Sequence, residues 1–220
     1  MGTITSLGAQ LEELKTQLDQ GSSEAYIHTQ AKLLETLKRL GVGRDALGVG
    51  DSAPDFVLPD QVDADMRLSD LLKLGNVVLS FFRGAWCPYC ETELKALHMA
   101  LPEIERRGAR LLAVSPQTLD RTMSMAERLL LDYSILVDAG NAVAKEFGLA
   151  FTIPEEFRKF HDVEMARIAE YNGDLSYLLP IPATYVIDHD GVIQYAYVDV
   201  DYRNRAEPDE VLRVLDQVRF

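Results

Sequence analysis

The chain has 220 residues, of which 47% are hydrophobic and 26% charged, a composition typical of a globular protein large enough to bury a core without disulfides or structural metals. Its formal net charge of −13 excludes nucleic acid and anionic membrane surfaces as expected partners, because both would be repelled. Residues 1–10 lack the cation and the apolar core of a secretory signal, and no apolar run could span a bilayer, so we expect a cytoplasmic protein.

The first fifty residues predict a pair of helices. Apolar side chains recur at helical spacing in two runs, the first ending near Gly21 and the second at Gly41. The positions concerned are Leu7, Leu11, Leu14 and Leu18, followed by Tyr26, Leu33, Leu37 and Leu40. We therefore predict that residues 1–49 form a helical hairpin. Its leucine stripes could cover the main domain or a second subunit, so a homodimer is one expectation.

From Gly50 onwards, strands and helices alternate. The predicted strands are residues 56–58, 66–68, 76–82, 110–114, 135–137, 183–187 and 192–198. The predicted helices are a short one capped by Ser69 and then residues 88–106, 119–131, 142–147, 155–171 and 208–218. This alternation, closed by a hairpin at Asp190-Gly191, predicts an α/β domain over residues 50–220 with a central mixed sheet flanked by helices. Residues 150–180 interrupt the alternation and are interpreted as a helical insertion.

The two cysteines, Cys87 and Cys90, form a Cys-Pro-Tyr-Cys motif. A zinc site needs about four ligands, and the sequence has no second cysteine pair to complete one. The histidines are dispersed, at His28, His98, His161 and His189. A dithiol that forms and breaks a disulfide is the simplest remaining interpretation, and it requires neither a metal nor an organic cofactor.

The dithiol lies where a predicted strand passes into a predicted helix. Pro88 suits the first helical position, where a missing N–H costs nothing, so Cys87 is the predicted N-cap and Cys90 falls in the first turn. A sulfur at the N-cap would face unpaired N–H groups and the positive end of the helix dipole, which favours its thiolate. On these grounds Cys87 is the predicted nucleophile, and Cys90 is the thiol that closes the disulfide.

Four stretches resemble the peroxiredoxin-like branch of the alkyl hydroperoxide reductase/thiol-specific antioxidant group, within the thioredoxin-fold superfamily. They are residues 50–56 (GDSAPDF), 81–90 (FFRGAWCPYC), 113–116 (AVSP) and 183–188 (ATYVID). The resemblance implies a thioredoxin-like α/β fold and a thiol-dependent antioxidant oxidoreductase. Such an enzyme would reduce hydroperoxides through a dithiol–disulfide cycle and would be restored by a thioredoxin- or glutathione-type reductant.

The match departs from the family pattern at the site itself. In peroxiredoxins the cysteine that attacks peroxide aligns with Cys90, preceded by threonine or serine three residues earlier and by proline seven residues earlier. This chain has Cys87 and Arg83 at those two positions. The family also brings an arginine to the thiolate from a strand whose corresponding position here is Pro182. Because Trp86-Cys87 instead resembles the Trp-Cys-x-x-Cys of thioredoxins, the nucleophile stays open between the two cysteines.

Each supporting residue has two interpretations. Arg83 could supply the missing positive charge or could be an ordinary surface arginine. Trp86 could form a docking surface or could simply pack. Pro182 resembles the proline of the thioredoxin loop that faces the dithiol, so we predict a cis bond there, although a trans proline could equally start an edge strand. Thr184 points either into the core or towards the site.

Two other functions remain open. One is a thioredoxin- or glutaredoxin-like disulfide oxidoreductase that reduces little peroxide. The other is a redox-gated binding module, in which the disulfide would alter the helical hairpin or the insertion and so control a partner.

Overall fold

A computed structural model describes residues 6–159 and 162–218. Its strands are β1 (Val57–Pro59), β2 (Asp65–Arg67), β3 (Asn76–Phe81), β4 (Ala109–Ser115), β5 (Ser134–Val137), β6 (Ala150–Thr152), β7 (Leu178–Pro180), β8 (Ala183–Ile187) and β9 (Ile193–Val198). Its α-helices are α1 (Leu7–Gln20), α2 (Glu24–Arg39), α3 (Leu68–Leu72), α4 (Pro88–Arg106), α5 (Leu119–Leu129), α6 (Ala142–Glu146), α7 (Glu155–Arg158), α8 (Asp162–Asn172) and α9 (Pro208–Leu215). None of these helices is long and apolar enough to cross a bilayer.

A five-stranded mixed sheet organises the domain. Its order is β5-β4-β3-β8-β9, with β3, β4 and β5 parallel and with β8 and β9 antiparallel to their neighbours. Every residue of β3 is buried, which explains its nearly continuous apolar run, because helices or other segments cover both faces of this central strand. The predicted α/β architecture is confirmed.

The two faces of the sheet carry separate parts of the core. On one face Val78 packs in a cluster with Leu94 of α4 and Val211 of α9. On the other face Leu79 packs in a cluster that includes Leu68 of α3. The helix that carries the dithiol is therefore held against the middle of the sheet along its apolar side, which fixes its first turn at the carboxyl end of β3.

The amino-terminal helices are both present, and α1 packs on α4. Leu7 and Leu11 are buried in the same cluster as the apolar side of α4. Glu207, the residue before α9, accepts hydrogen bonds from the N–H groups of Leu7 at 3.0 Å and Gly8 at 2.7 Å. The start of this leucine stripe is therefore buried against its own domain, whereas Leu18 at its end is exposed, and the homodimer stays a prediction.

The structure corrects two local predictions. Ser69 is not a cap: it lies inside α3, and its N–H and hydroxyl both donate to the carboxylate of Asp55. The single helix predicted for residues 155–171 is two helices, α7 and α8, enclosed by the antiparallel pair β6 and β7. His161, which falls between them, lies outside the described residues.

Candidate active site

A tight turn joins β3 to α4 and places the dithiol. Gly84 has φ = 146°, and its carbonyl accepts the N–H of Cys87 at 3.1 Å. A Cβ on Gly84 would lie 2.6 Å from Nε1 of Trp86, so only glycine fits here. The buried amide of Gln117 accepts the N–H of Ala85 at 2.9 Å, which ties the turn to the segment after β4.

Cys87 is the N-cap of α4, as predicted, but its sulfur makes no hydrogen bond to the N–H groups of the first turn. Its side chain is almost fully buried. Burial, followed by the hydrogen bond to Cys90 and the charge on that sulfur, raises the pKa of Cys87 well above the ordinary value. This direction is opposite to the expected depression of the pKa of Cys87, because desolvation outweighs the helix dipole.

Cys90 has the opposite character. Burial alone would raise its pKa, but the hydrogen bond from Cys87 and the charge of Arg205 lower it well below the ordinary value. Arg205 Nη2 lies 3.3 Å from Cys90 Sγ and donates a hydrogen bond to it. Of the two thiols, Cys90 is therefore the one whose surroundings favour the thiolate.

A buried network holds Arg205 in place. Its guanidinium forms an ion pair with Glu93, and both side chains are 1% exposed. Arg205 also donates to the carbonyl of Tyr202, from Nε at 2.9 Å and from Nη2 at 2.7 Å. Thr184 donates its hydroxyl to Glu93 at 3.4 Å, so this buried residue faces both the core and the site. Burial raises the pKa of Glu93 to about 7, against the opposing charge of Arg205.

Sequence reasoning missed Glu93 and Arg205. Glu93 had a local signal: it lies one helical turn beyond Cys90, and a carboxylate at that spacing shares its face. Arg205 had none, because it lies 115 residues from Cys90, in the segment between β9 and α9. It supplies the cation that the family comparison expected at Pro182.

Arg83 belongs to the site and is not an ordinary surface residue. Its side chain is only 8% exposed and lies between two aromatic rings, with Cζ 4.5 Å from the ring centroid of Trp86 and 4.2 Å from that of Tyr202. Glu164 of α8 pairs with it at 3.5 Å. Its charge opposes the rise in the pKa of Cys87, so Arg83 provides a second cation beside the dithiol.

The remaining predicted residues are placed as follows. Pro88 is the exposed first residue of α4, as predicted. Trp86 is partly buried and packs against the core, and it also borders the opening above Cys87.

The prediction of a cis bond at Pro182 is wrong, because the described residues contain no cis peptide bond. Pro182 is buried in the two-residue connection between β7 and β8, where a trans bond carries the extended chain from one strand to the next.

A pocket of about 600 Å³ opens over Cys87. Its walls come from the end of α1, from α2 and from α8, while the segment that carries Tyr202 closes one side. Gln30 of α2 donates to Glu164 of α8 at 3.2 Å and joins two of these walls. Among the described residues, Cys87 lines this pocket and Cys90 does not.

Comparison with known proteins identifies the family of this chain. The model of the AhpC/TSA family matches residues 49–196, more than half of the chain. The chain belongs to the AhpC/TSA family. Peroxiredoxin Q, chloroplastic, of Sedum lineare is 26% identical over 170 residues, which cover 77% of this chain and 78% of that protein. The thiol-disulfide oxidoreductase ResA of Geobacillus thermodenitrificans is 28% identical over 154 residues, or 69% of this chain and 70% of that protein.

The fold is shared with a solved member of the group. The crystal structure of the peroxidoxin BcpB from Mycobacterium tuberculosis has a TM-score of 0.62 and 28% identity, and the match covers 79% of this chain and 99% of that one. The predicted thioredoxin-like fold is thereby confirmed, as is the class of activity: this AhpC/TSA protein is a thiol-dependent peroxidase of the peroxiredoxin type, an oxidoreductase.

Proposed function

We propose that this AhpC/TSA protein reduces hydroperoxides with Cys90 as the attacking thiolate and Cys87 as the thiol that closes the disulfide. One observation carries the assignment: the buried guanidinium of Arg205 donates to Cys90 Sγ at 3.3 Å. A thiolate is the nucleophilic form of cysteine, and a fixed cation stabilises it in a site from which water is excluded.

The chemistry balances with the groups present. The Cys90 thiolate attacks the terminal oxygen of the hydroperoxide, the O–O bond breaks, and Cys90 becomes a sulfenic acid. The departing alkoxide or hydroxide takes up a proton, and the thiol of Cys87 holds the nearest one, in its hydrogen bond to Cys90. Cys87, now a thiolate, attacks the sulfenic sulfur and forms the disulfide, and the sulfenic oxygen leaves as water after protonation. Two electrons pass from the two thiols to the peroxide.

Three further points belong to the proposal. The substrate is a hydroperoxide and the reductant is a thiol, since the cycle ends at a disulfide that a thiol must reopen. The cytoplasm, whose thiol pools keep such a pair reduced, is the proposed compartment. A second activity, exchange with other disulfides, is favoured by the placement of Cys87 against the open pocket.

The test uses two single variants, Cys87→Ser and Cys90→Ser, each the control for the other. Each reduced protein is mixed with one equivalent of hydrogen peroxide, and sulfenic acid is followed by mass spectrometry after trapping with dimedone. We expect rapid sulfenic acid formation in Cys87→Ser and little in Cys90→Ser. Rapid formation in Cys90→Ser alone would reverse the two roles. Slow reaction of both variants and of the wild type would reject peroxidase activity and leave disulfide exchange.

A further inference from the structure

Three helices form most of the wall of the pocket over Cys87. Two of its walls are helices from the first fifty residues, and a third is α8, which lies between β6 and β7. Cys87 lines it and is 2% exposed. A molecule that reaches the Cys87–Cys90 disulfide from this pocket therefore meets Cys87 first, in a space bordered by three helices.

The pocket is more basic than the protein that carries it. The chain has a net charge of −13, yet the charged residues lining the pocket are four cations and two carboxylates: Arg83, Lys159, Arg167, Arg203, Asp19 and Glu164. Arg83 is paired with Glu164, and Arg203 with Asp201. Lys159 and Arg167 are exposed, one on each side of the start of α8. The cations at this opening therefore attract a negatively charged ligand, although the protein as a whole carries a net negative charge.

The rest of the lining is apolar and aromatic. Trp86, Tyr26 and Ile27 face the same space as the cations. The combination suits a small organic anion with a short aliphatic body, and the volume falls within the range of about 300–1,000 Å³ that small-molecule sites have.

We propose that this pocket binds a low-molecular-weight thiol that carries carboxylates, of the glutathione type, and directs its sulfur to Cys87 of the disulfide. The proposal rests on the proposed peroxidase function and names the electron donor of that same site. Lys159 and Arg167 attract the carboxylates of the donor, while the apolar wall holds its body.

The reaction consumes two donor molecules. The thiolate of the first attacks Cys87 Sγ, the Cys87–Cys90 bond breaks, and Cys90 leaves as a thiolate beside Arg205. The thiolate of the second attacks the donor sulfur of this mixed disulfide, and Cys87 leaves and is protonated. The two donor thiols are oxidised to one disulfide, and the protein disulfide is reduced to two thiols. Two features favour attack at Cys87: Cys87 lines the pocket, and Cys90 is the better leaving group because its pKa is lowered.

The experiment separates donor use from peroxidase activity by making the disulfide with diamide, without peroxide. Reopening of this disulfide is then timed with glutathione, with the uncharged thiol 2-mercaptoethanol, and with thioredoxin plus its reductase. The wild type is compared with Lys159→Gln/Arg167→Gln. The matched control is Arg110→Gln, an exposed arginine at the start of β4, at the opposite end of the sheet from Arg83.

We expect the ratio of the glutathione rate to the 2-mercaptoethanol rate to fall about fivefold for each charge removed, and to stay unchanged in Arg110→Gln. Glutathione disulfide should form a mixed disulfide with Cys90→Ser but not with Cys87→Ser. An unchanged ratio in the double variant, or much faster reopening by thioredoxin than by glutathione, would overturn the proposal. Because the disulfide is formed chemically, either result can be reached whether or not the protein reduces peroxide.

Discussion

Replacing Arg205 tests the electrostatic argument for Cys90 directly. Arg205→Met removes the cation that lies 3.3 Å from Cys90 Sγ and keeps much of the side-chain volume. At an effective dielectric constant of about 20, a full charge at this distance is worth about 5 kcal/mol. Glu93, paired with the same guanidinium, cancels part of this, so the value for a hydrogen bond to a charged group, about 1.5–3 kcal/mol, is the better guide.

That energy corresponds to a rise of about one to two units in the pKa of Cys90. The pKa is measured in a Cys87→Ser background, where serine keeps a hydroxyl donor, by following iodoacetamide alkylation against pH. We expect the alkylation curve to move to higher pH by about one to two units, and the pH profile of the peroxide oxidation rate to move with it. Arg203→Met is the matched control, because that arginine lies two residues earlier in the chain and pairs with Asp201.

Removing Arg205 also leaves Glu93 buried without its cation, which can cost about 3–5 kcal/mol of stability. The double variant Glu93→Gln/Arg205→Met removes both charges and keeps the measurement interpretable if the single variant unfolds. Circular dichroism confirms that each variant is folded. An unchanged pKa of Cys90 in a folded Arg205→Met or double variant would refute the role given to this arginine.

Two more predictions concern stability. Leu11→Ala empties a buried site between α1 and α4 and should lower the free energy of unfolding in urea by about 2–5 kcal/mol. The control Leu18→Ala changes a side chain that is 38% exposed and should cost well under 1 kcal/mol. Equal losses in the two variants would show that α1 is not docked as described. Glu93 has a folded pKa of about 7, above its ordinary value of 4.5, so its contribution to stability is present below pH 4.5 and is lost as the pH rises through 7. The wild type should therefore lose up to about 3 kcal/mol of unfolding free energy between pH 4.5 and pH 8 that Glu93→Gln does not lose, as measured by urea unfolding at both pH values. Parallel pH profiles of unfolding free energy in the variant and the wild type would contradict the raised pKa of Glu93.

Elements with strong periodic patterns were predictable from the sequence. The helix over residues 88–106 and the strand over residues 183–187 have the predicted bounds. The helix buries one apolar side, and all five residues of the strand are buried. Ser69 failed as a cap because the side chain that meets the first turn of α3, Asp55, comes from a segment earlier in the chain. The single helix predicted for residues 155–171 was wrong because α7 and α8 are separate helices within a stretch whose apolar spacing alone looked continuous.

The sequence by itself determined that two thiols lie at the junction of a buried strand and a helix, since Pro88 and the spacing of Cys87 and Cys90 are local features. Arg83 and Trp86 were also found because they belong to the same turn. Only the tertiary structure shows which of the two sulfurs has a cation beside it. The pKa of a buried thiol depends on the charges and the burial that surround it, and these come from Arg205, more than a hundred residues away, and from helices packed over the site.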